Sequence, residues 1–320
     1  MDLSLLKKSL GEADVSSLYQ SRELDKVLVK LVDYMNPLRQ NMDRKPGSGT
    51  GYQNYRRAAG LTANAFSDNI DVIETDSAEE KAGTYSELYL PYKTILSKGR
   101  VYRRVQKTGA SIADLMREEV EGKAIELRDA EERRVFWGNS PTANSKQWPG
   151  INSYMVTNAS TQVVALTNTG TGVTLTLEAL DRAIDLNLGN PGLILTSRTG
   201  RRKLNALLQA QQRFVDKIEI KGGFKVMSYN DIPVVACTNI PDTLNITSGG
   251  TVSSLTGGSS TAFFIVDLQE VFMSVLTEVT MMPIARATSQ YEEFEMFMDE
   301  TLVVRDYRKV SMITGIKSLG

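Results

Sequence analysis

Residues 111–138 read SIADLMREEVEGKAIELRDAEERRVFWG and carry the longest helical signal in the chain. Ser111-Ile-Ala-Asp114 is a capping-box pattern at the start, and Gly138 is a stop. Ile112, Leu115, Met116, Val120, Ala124, Leu127 and Val135 keep one apolar stripe. The other face sets Arg117 with Glu121, Glu119 with Lys123 and Asp129 with Arg133, at the spacing that brings helical side chains together. At about 1.5 Å per residue the helix is on the order of 40 Å long, more than a compact domain usually needs. It predicts a strut through an elongated α+β subunit.

Upstream, the helical pattern from Ser21 puts Leu24, Val27, Leu28, Leu31, Val32 and Met35 on one face and ends at Asn36-Pro37. Residues 46–51, Pro-Gly-Ser-Gly-Thr-Gly, predict a flexible hinge. They are no phosphate cradle, since no strand precedes them and no Gly-Lys-Ser/Thr follows. From Tyr52 to Leu96 strand-like runs alternate with polar turns, the pattern of a long hairpin. Its charge is segregated: within residues 64–90 Asp68, Asp71, Glu74, Asp76, Glu79, Glu80 and Glu87 stand against Lys81 alone, whereas residues 91–110 hold Lys93, Lys98, Arg100, Arg103, Arg104 and Lys107 without an acid.

Downstream of a break at 138–152, helices are expected at Leu177–Leu188, capped by Thr176, and at Arg201–Phe214. Strands are expected at Leu193–Thr196 and Ile232–Thr238, with a hairpin through Gly222-Gly223 and a long Ser/Thr/Gly loop over 239–260. The remainder reads as strands at Ala262–Asp267, Glu278–Ile284, Phe294–Met298, Leu302–Tyr307 and Val310–Ile316.

Composition excludes much chemistry. The 320 residues are 41% hydrophobic and 23% charged with a net charge of -1, an ordinary folded protein without the basic excess of a dedicated nucleic-acid binder. With no histidine and one cysteine, histidine-based catalysis, histidine-ligated metals and an intrachain disulfide are all out. Cys237 reads as a small core residue. The N-terminus lacks a signal-peptide apolar region and no run approaches a membrane span, so a soluble protein made in a cytosol is expected. A histidine-free α/β enzyme would need a pair such as Ser197 with Lys203, which read more simply as a helix cap and a solvated residue. The acids of 68–87 lack the Asp-x-Asp-x-Asp-Gly loop of a Ca²⁺ site. No catalytic, cofactor or metal residue is expected. Arg201-Arg-Lys203 and Arg56-Arg57 read as solvated faces that would touch DNA only weakly and without sequence preference.

The order of a helical arm, a long hairpin, a strut helix, a mixed unit and returning strands resembles the HK97-fold major capsid proteins of tailed bacteriophages. Arg128-Asp-Ala-Glu-Glu-Arg-Arg-Val-Phe-Trp-Gly-Asn139 looks like the end of that family's spine helix. Leu193-Ile-Leu-Thr-Ser-Arg-Thr-Gly-Arg-Arg-Lys-Leu204 is similar to the strand and helix start of its axial domain. Tyr229-Asn-Asp-Ile-Pro-Val-Val235, Phe263-Phe-Ile-Val-Asp267 and Val304-Arg-Asp-Tyr-Arg-Lys-Val-Ser-Met-Ile-Thr-Gly315 resemble its later strands, with Val266 standing where the family usually has glycine.

The resemblance implies an N-arm (1–46), an E-loop (47–92), a peripheral domain with the spine helix (93–150), an axial domain (151–264) and strands returning to the peripheral domain (265–320). It implies a structural subunit, not an enzyme, whose copies form hexamers and pentamers of an icosahedral virion shell around double-stranded DNA. Assembly in the host cytoplasm, a separate scaffolding protein, a portal and decoration proteins are further implied partners. The arm face of Leu24, Val27, Leu31 and Met35 would be covered by a neighbour or scaffold. The acids Asp68, Asp71, Glu74, Asp76, Glu79 and Glu80 would reach Arg100, Arg103 and Arg104 of the next capsomer, or pair across the hairpin base. Relatives that crosslink Lys to Asn need an E-loop lysine, for which Lys81 is the only distal residue. An encapsulin-like cellular compartment is the alternative shell.

Overall fold

A computed structural model describes residues 36–57, 85–109, 115–139, 146–166, 172–210, 217–220, 224–247, 250–284 and 290–318. The N-terminal part comprises α1 (Pro37–Asn41), β1 (Asp43–Pro46), β2 (Gly51–Arg57), β3 (Tyr85–Pro91), β4 (Lys93–Tyr102), α2 (Arg103–Gly109) and the long α3 (Leu115–Trp137). There follow α4 (Ile151–Asn158), β5 (Val163–Ala165), α5 (Leu177–Asp185), β6 (Leu193–Thr196), α6 (Arg198–Ala210), β7 (Lys217–Ile220), β8 (Phe224–Tyr229) and β9 (Ile232–Ala236). The rest is β10 (Asn245–Ile246), β11 (Val252–Ser254), β12 (Ser260–Val266), β13 (Val271–Pro283), β14 (Tyr291–Val304) and β15 (Val310–Lys317). The four-stranded sheet runs β1-β13-β14-β4 and the seven-stranded sheet β5-β15-β12-β6-β9-β8-β7, beside the pairs β2-β3 and β10-β11.

Every residue of β12, Ser-Thr-Ala-Phe-Phe-Ile-Val, is buried, which requires apolar layers on both faces of the sheet. Ala262, Phe264 and Val266 enter the core shared with α3 and the four-stranded sheet. Phe263 and Ile265 enter the core under α5 and α6. The neighbouring β15 does the same, with Val310 and Met312 on one side and Ile313 and Ile316 on the other. The strands expected over 265–320 therefore divide. β13 and β14 join β4, whereas β15 returns to the seven-stranded sheet because only a central strand there can bury both of its faces. The run expected at 294–298 and the start of that at 302–307 belong to one strand, which ends at Val304; of the polar residues between them Glu300 and Thr301 are buried and Asp299 is half-buried, and they do not form a turn.

Local signals place most other elements. Thr176 Oγ1 caps α5 by accepting from the Ala179 amide at 3.2 Å. Ser197 Oγ accepts from the Gly200 amide at 3.0 Å, so α6 starts earlier than its apolar period suggests. Asn230 and Asp231 both have positive φ (48° and 61°), the backbone of a tight turn joining β8 to β9.

The Ser111 cap lies outside the described residues; from Leu115 the strut forms as expected, with Arg117 bonded to Glu121 at 3.1 Å. Lys123 is bonded to Glu126 at 2.8 Å and feels Glu119 only through its charge, and Asp129 accepts from Asn239 Nδ2 at 2.9 Å and faces the 237–240 segment. The end of α3 is where the two sheets meet. Phe136 and Trp137 lie 5.1 and 5.6 Å from the Phe264 ring, and Trp137 Nε1 donates to the Asn239 carbonyl at 2.8 Å. At Gly138 a Cβ would lie 2.5 Å from the carbonyl oxygens of Arg134 and Trp148, so only glycine lets the chain fold back here. Trp137→Phe is expected to cost about 1–3 kcal/mol by leaving that buried carbonyl unpaired, read as a lower urea midpoint at unchanged slope.

The start of the described chain departs from expectation. Helical residues begin at Pro37, whose missing N–H is harmless at a first helical position, and Leu38 and Met42 are core residues. β1 pairs in parallel with Phe272–Val275. The 46–51 stretch is a docked turn and not a loose hinge. The Gly47 amide donates to the Val275 carbonyl at 2.7 Å, and a Cβ on Gly47 would meet the Tyr92 hydroxyl at 2.0 Å.

Candidate functional site: the arm root and the exposed faces

The apolar stripe of α3 is interrupted by acids. Glu131 lies one turn after Leu127 and one turn before Val135, and both it and Glu132 are fully buried. Glu131 is met by Arg39 Nε at 2.5 Å and by Arg44, and Arg44 also reaches Glu300 at 3.0 Å and Glu278 at 3.4 Å. Glu132 Oε1 accepts from the Leu38 amide at 3.1 Å and from Cys237 Sγ at 3.3 Å. Four separate parts of the chain, the 38–44 segment, α3, β13–β14 and the 237–240 segment, are thus tied at one point. Cys237 is the small core residue expected, with a polar role added.

Burial sets the electrostatics. It pushes the Glu132 carboxyl up to about 8 against the pull of its hydrogen bonds. Glu300 is raised by burial and then by neighbouring Glu131, with Arg44 opposing. The Cys237 thiol is pushed up by burial and by the Glu132 charge, so it is no nucleophile. Sequence reasoning missed this knot. The signal was acids at stripe spacing on α3, followed in space by two arginines just past Asn36-Pro37.

Leu24, Val27, Leu31 and Met35, and Asp68, Asp71, Glu74, Asp76, Glu79, Glu80 and Lys81, lie outside the described residues. β2 and β3 pair antiparallel from Gly51↔Pro91 to Arg57↔Tyr85. Arg100 is engaged within its own chain, bonded to Glu293 across β4–β14 and stacked 4.4 Å over the Tyr291 ring. Hydrogen bonding to Tyr102 and Glu293 raises its pKa. Arg103 and Arg104 open α2 with exposed side chains. Ser197 caps α6, while Lys203 Nζ donates to the Lys317 carbonyl, so neither is directed at the other.

The exposed face of β4 carries a charged row, Lys98 opposite Glu295 at 3.5 Å and Thr94 bonded to Asp299, interleaved with exposed Leu96 and Tyr102. The outer half of β13 exposes Leu276, Val279, Met281 and Met282 beyond the reach of β1. Apolar residues on one strand edge are a contact surface that a lone subunit leaves wet. Among the described residues no helix is long and apolar enough to cross a membrane, and no group of three or more His, Cys, Asp or Glu could hold a metal ion.

Three comparisons bear on this geometry. The family model for the SU10 major capsid protein matches residues 101–317. No curated protein matches. Among solved structures, the holo-SrpI encapsulin complex from Synechococcus elongatus PCC 7942 superposes with a TM-score of 0.67 at 10% identity, covering 97% of each chain. A Mycobacterium phage Ogopogo chain gives 0.64 at 12% identity, covering 94% of this chain and 98% of that one. The capsid of a native GTA particle gives 0.60 at 12% identity, covering 95% and 98%. These likenesses show the HK97-like fold.

Proposed function

The chain belongs to the SU10 major capsid protein family, and from this premise we propose that its copies close, as hexamers and pentamers, into an icosahedral tailed-phage head around double-stranded DNA. It is a structural shell protein of a virion. The observation that carries the reading is the family match over the spine helix, the seven-stranded sheet and β13–β14, joined to exposed apolar and charged strand faces that only other subunits would cover. A separate scaffolding protein, a portal and assembly in the host cytoplasm complete the proposal, with residues 1–46 as N-arm and 47–92 as E-loop. The role is non-catalytic, consistent with Ser197 and Lys203 spent on backbone groups.

The encapsulin-like alternative draws on the SrpI likeness, but the family match favours a phage head. Sedimentation of the purified chain is expected to show capsomers and shells; a strictly monomeric species at every salt and scaffold concentration would overturn the reading. Packaged nucleic acid in native particles separates a head from an enzyme-filled compartment.

The acidic segment carrying Asp68, Asp71, Glu74, Asp76, Glu79 and Glu80 is proposed to contact the basic start of the next subunit's peripheral domain at Arg100, Arg103 and Arg104, and the face of Leu24, Val27, Leu31 and Met35 to be covered by a neighbour or scaffold. Each exposed pair is worth only about 0–1 kcal/mol, so copy number carries the effect. Subunits with Glu74, Asp76, Glu79 and Glu80 changed to lysine, mixed with subunits carrying Arg100, Arg103 and Arg104 as glutamate, are expected to co-assemble better than either variant alone. Equal failure in the mixture would return these charges to contacts within one chain.

A further inference from the structure

Where the arm root, the strut and the four-stranded sheet join, charges of alternating sign follow one another in space: Arg39, Glu131, Arg44, Glu300 and Arg134. All but one of the links in this chain are made. Arg39 Nε donates to Glu131 Oε2 at 2.5 Å, Arg44 Nη1 donates to Glu131 Oε1, and Arg44 Nη2 donates to Glu300 Oε2 at 3.0 Å. The last link is open. Glu300 is fully buried, yet its Oε1 has no hydrogen-bond partner among the described residues, and neither has the buried Nη1 of Arg134. One is an acceptor and the other a donor, and each costs free energy while it stays unpaired inside the fold.

Arg134 follows Glu131 by one turn of α3 and so shares its side of the helix, and it feels the charge of Glu300. Burial and then Arg133 lower its pKa, with Glu300 opposing. It also lines a pocket of about 230 Å³ between the start of β4 and residues 146–148, which gives its guanidinium room to turn. Lys93 and Lys146 line the same pocket and have interactions of their own. Glu300 is faced by Glu131 and Arg134 from α3, by Arg44 from β1 and by Arg39 from α1, and it stands opposite Val275 of β13 and Lys93 of β4; Arg44 is itself shared with Glu278. Burial first and then Glu131 raise the Glu300 carboxyl to about 8, with Arg44 and Arg39 opposing. Below that value the carboxyl holds a proton and the Arg44 contact suffices; once ionised, a buried carboxylate needs both oxygens satisfied. We propose that Arg134 is a clamp poised to close: when Glu300 ionises, the Arg134 guanidinium turns to its bare oxygen and completes the chain of charges from the arm root to the end of the strut. The junction then tolerates alkali, because the charge that appears inside it is held between two arginines.

The sign follows from linkage. Glu300 holds its proton longer in the folded chain than in the unfolded one, so the parent and a variant without Arg134 both lose stability as pH rises through its titration, and the clamp makes the parent lose less. Full-length subunit, kept unassembled by dilution, is unfolded in urea from about pH 6 to about pH 9.5 and compared with Arg134→Met at each pH. Across that range the ratio of folding equilibrium constants is expected to shift about tenfold or more in favour of the parent, the equivalent of one pKa unit. The same comparison in a Glu300→Gln background, which cannot ionise, is expected to be flat with pH. Arg134→Gln serves both comparisons if the methionine variant does not fold. A ratio that stays constant with Glu300 present would sink the clamp, since Arg134 would then never meet the ionised carboxylate. So would a shift that persists in Glu300→Gln, which would make some other group the one Arg134 answers.

Discussion

Glu131→Ala is expected to destabilise the unassembled subunit by about 3 kcal/mol, the low end of the range for breaking a buried ion pair by removing one partner. The low end applies because Arg39 and Arg44, left behind, keep 22% and 20% side-chain exposure and so retain some hydration, whereas Glu131 has none. Arg44 would keep Glu300; Arg39 would lose the carboxylate to which its Nε donates. The damage should therefore concentrate at the arm root. Urea unfolding measures the loss, and limited trypsin digestion should cut after Arg39 or Arg44 faster than in the parent. A fourfold change of Arg39, Arg44, Glu131 and Glu300 to methionine removes the buried charges together and should recover much of the stability. A loss under 1 kcal/mol for Glu131→Ala would show that the knot is hydrated and does not hold the arm root.

The strut, the Thr176 cap, the strand at 193–196 and the pairing of β7 with β8 were legible because each announces itself within a few residues, by period, cap or turn chemistry. What was not legible depends on distant partners. Whether Val310–Lys317 joins one sheet or the other is decided by two cores that form from residues over a hundred positions apart. The Asp299-Glu300-Thr301 interruption reads as a turn until Arg44 and Thr94 supply partners inside the sheet. The Pro-Gly-Ser-Gly-Thr-Gly run reads as loose for the same reason its glycines are needed, since Gly47 is small where the Tyr92 hydroxyl comes close. For the assembly surfaces, sequence supplied the charge segregation, yet Arg100 turned out to be engaged by Glu293, a cross-strand neighbour that no local pattern marks.

Glu132 should make the fold lose stability as pH rises, opposite to the usual paired carboxylate. Its carboxyl is pushed up to about 8 by burial, from an ordinary value of 4.5. Below 4.5 it is protonated whether the chain is folded or not, and its contribution is fully present. Between 4.5 and 8 the unfolded chain releases a proton that the folded chain retains, so each pH unit removes about 1.4 kcal/mol, and above 8 the loss is complete. The groups facing it set this direction: Cys237 and the Leu38 and Arg39 amides pull the value down, Asp129 pushes it up, and desolvation outweighs them all. Glu132→Gln keeps an oxygen for the Leu38 amide and the Cys237 thiol but cannot ionise. Its stability difference from the parent should be within about 1 kcal/mol at pH 5 and should favour the variant by several kcal/mol at pH 8.5. Taking the difference cancels other titrating groups, among them Asp306, whose pKa is lowered through Arg308 despite partial burial and which acts in the opposite sense at acid pH. Chemical unfolding at a series of pH values, at constant ionic strength and with assembly suppressed by dilution, measures it. A pH-independent difference between Glu132→Gln and the parent would show that Glu132 is already ionised in the folded chain, and that water reaches its carboxylate.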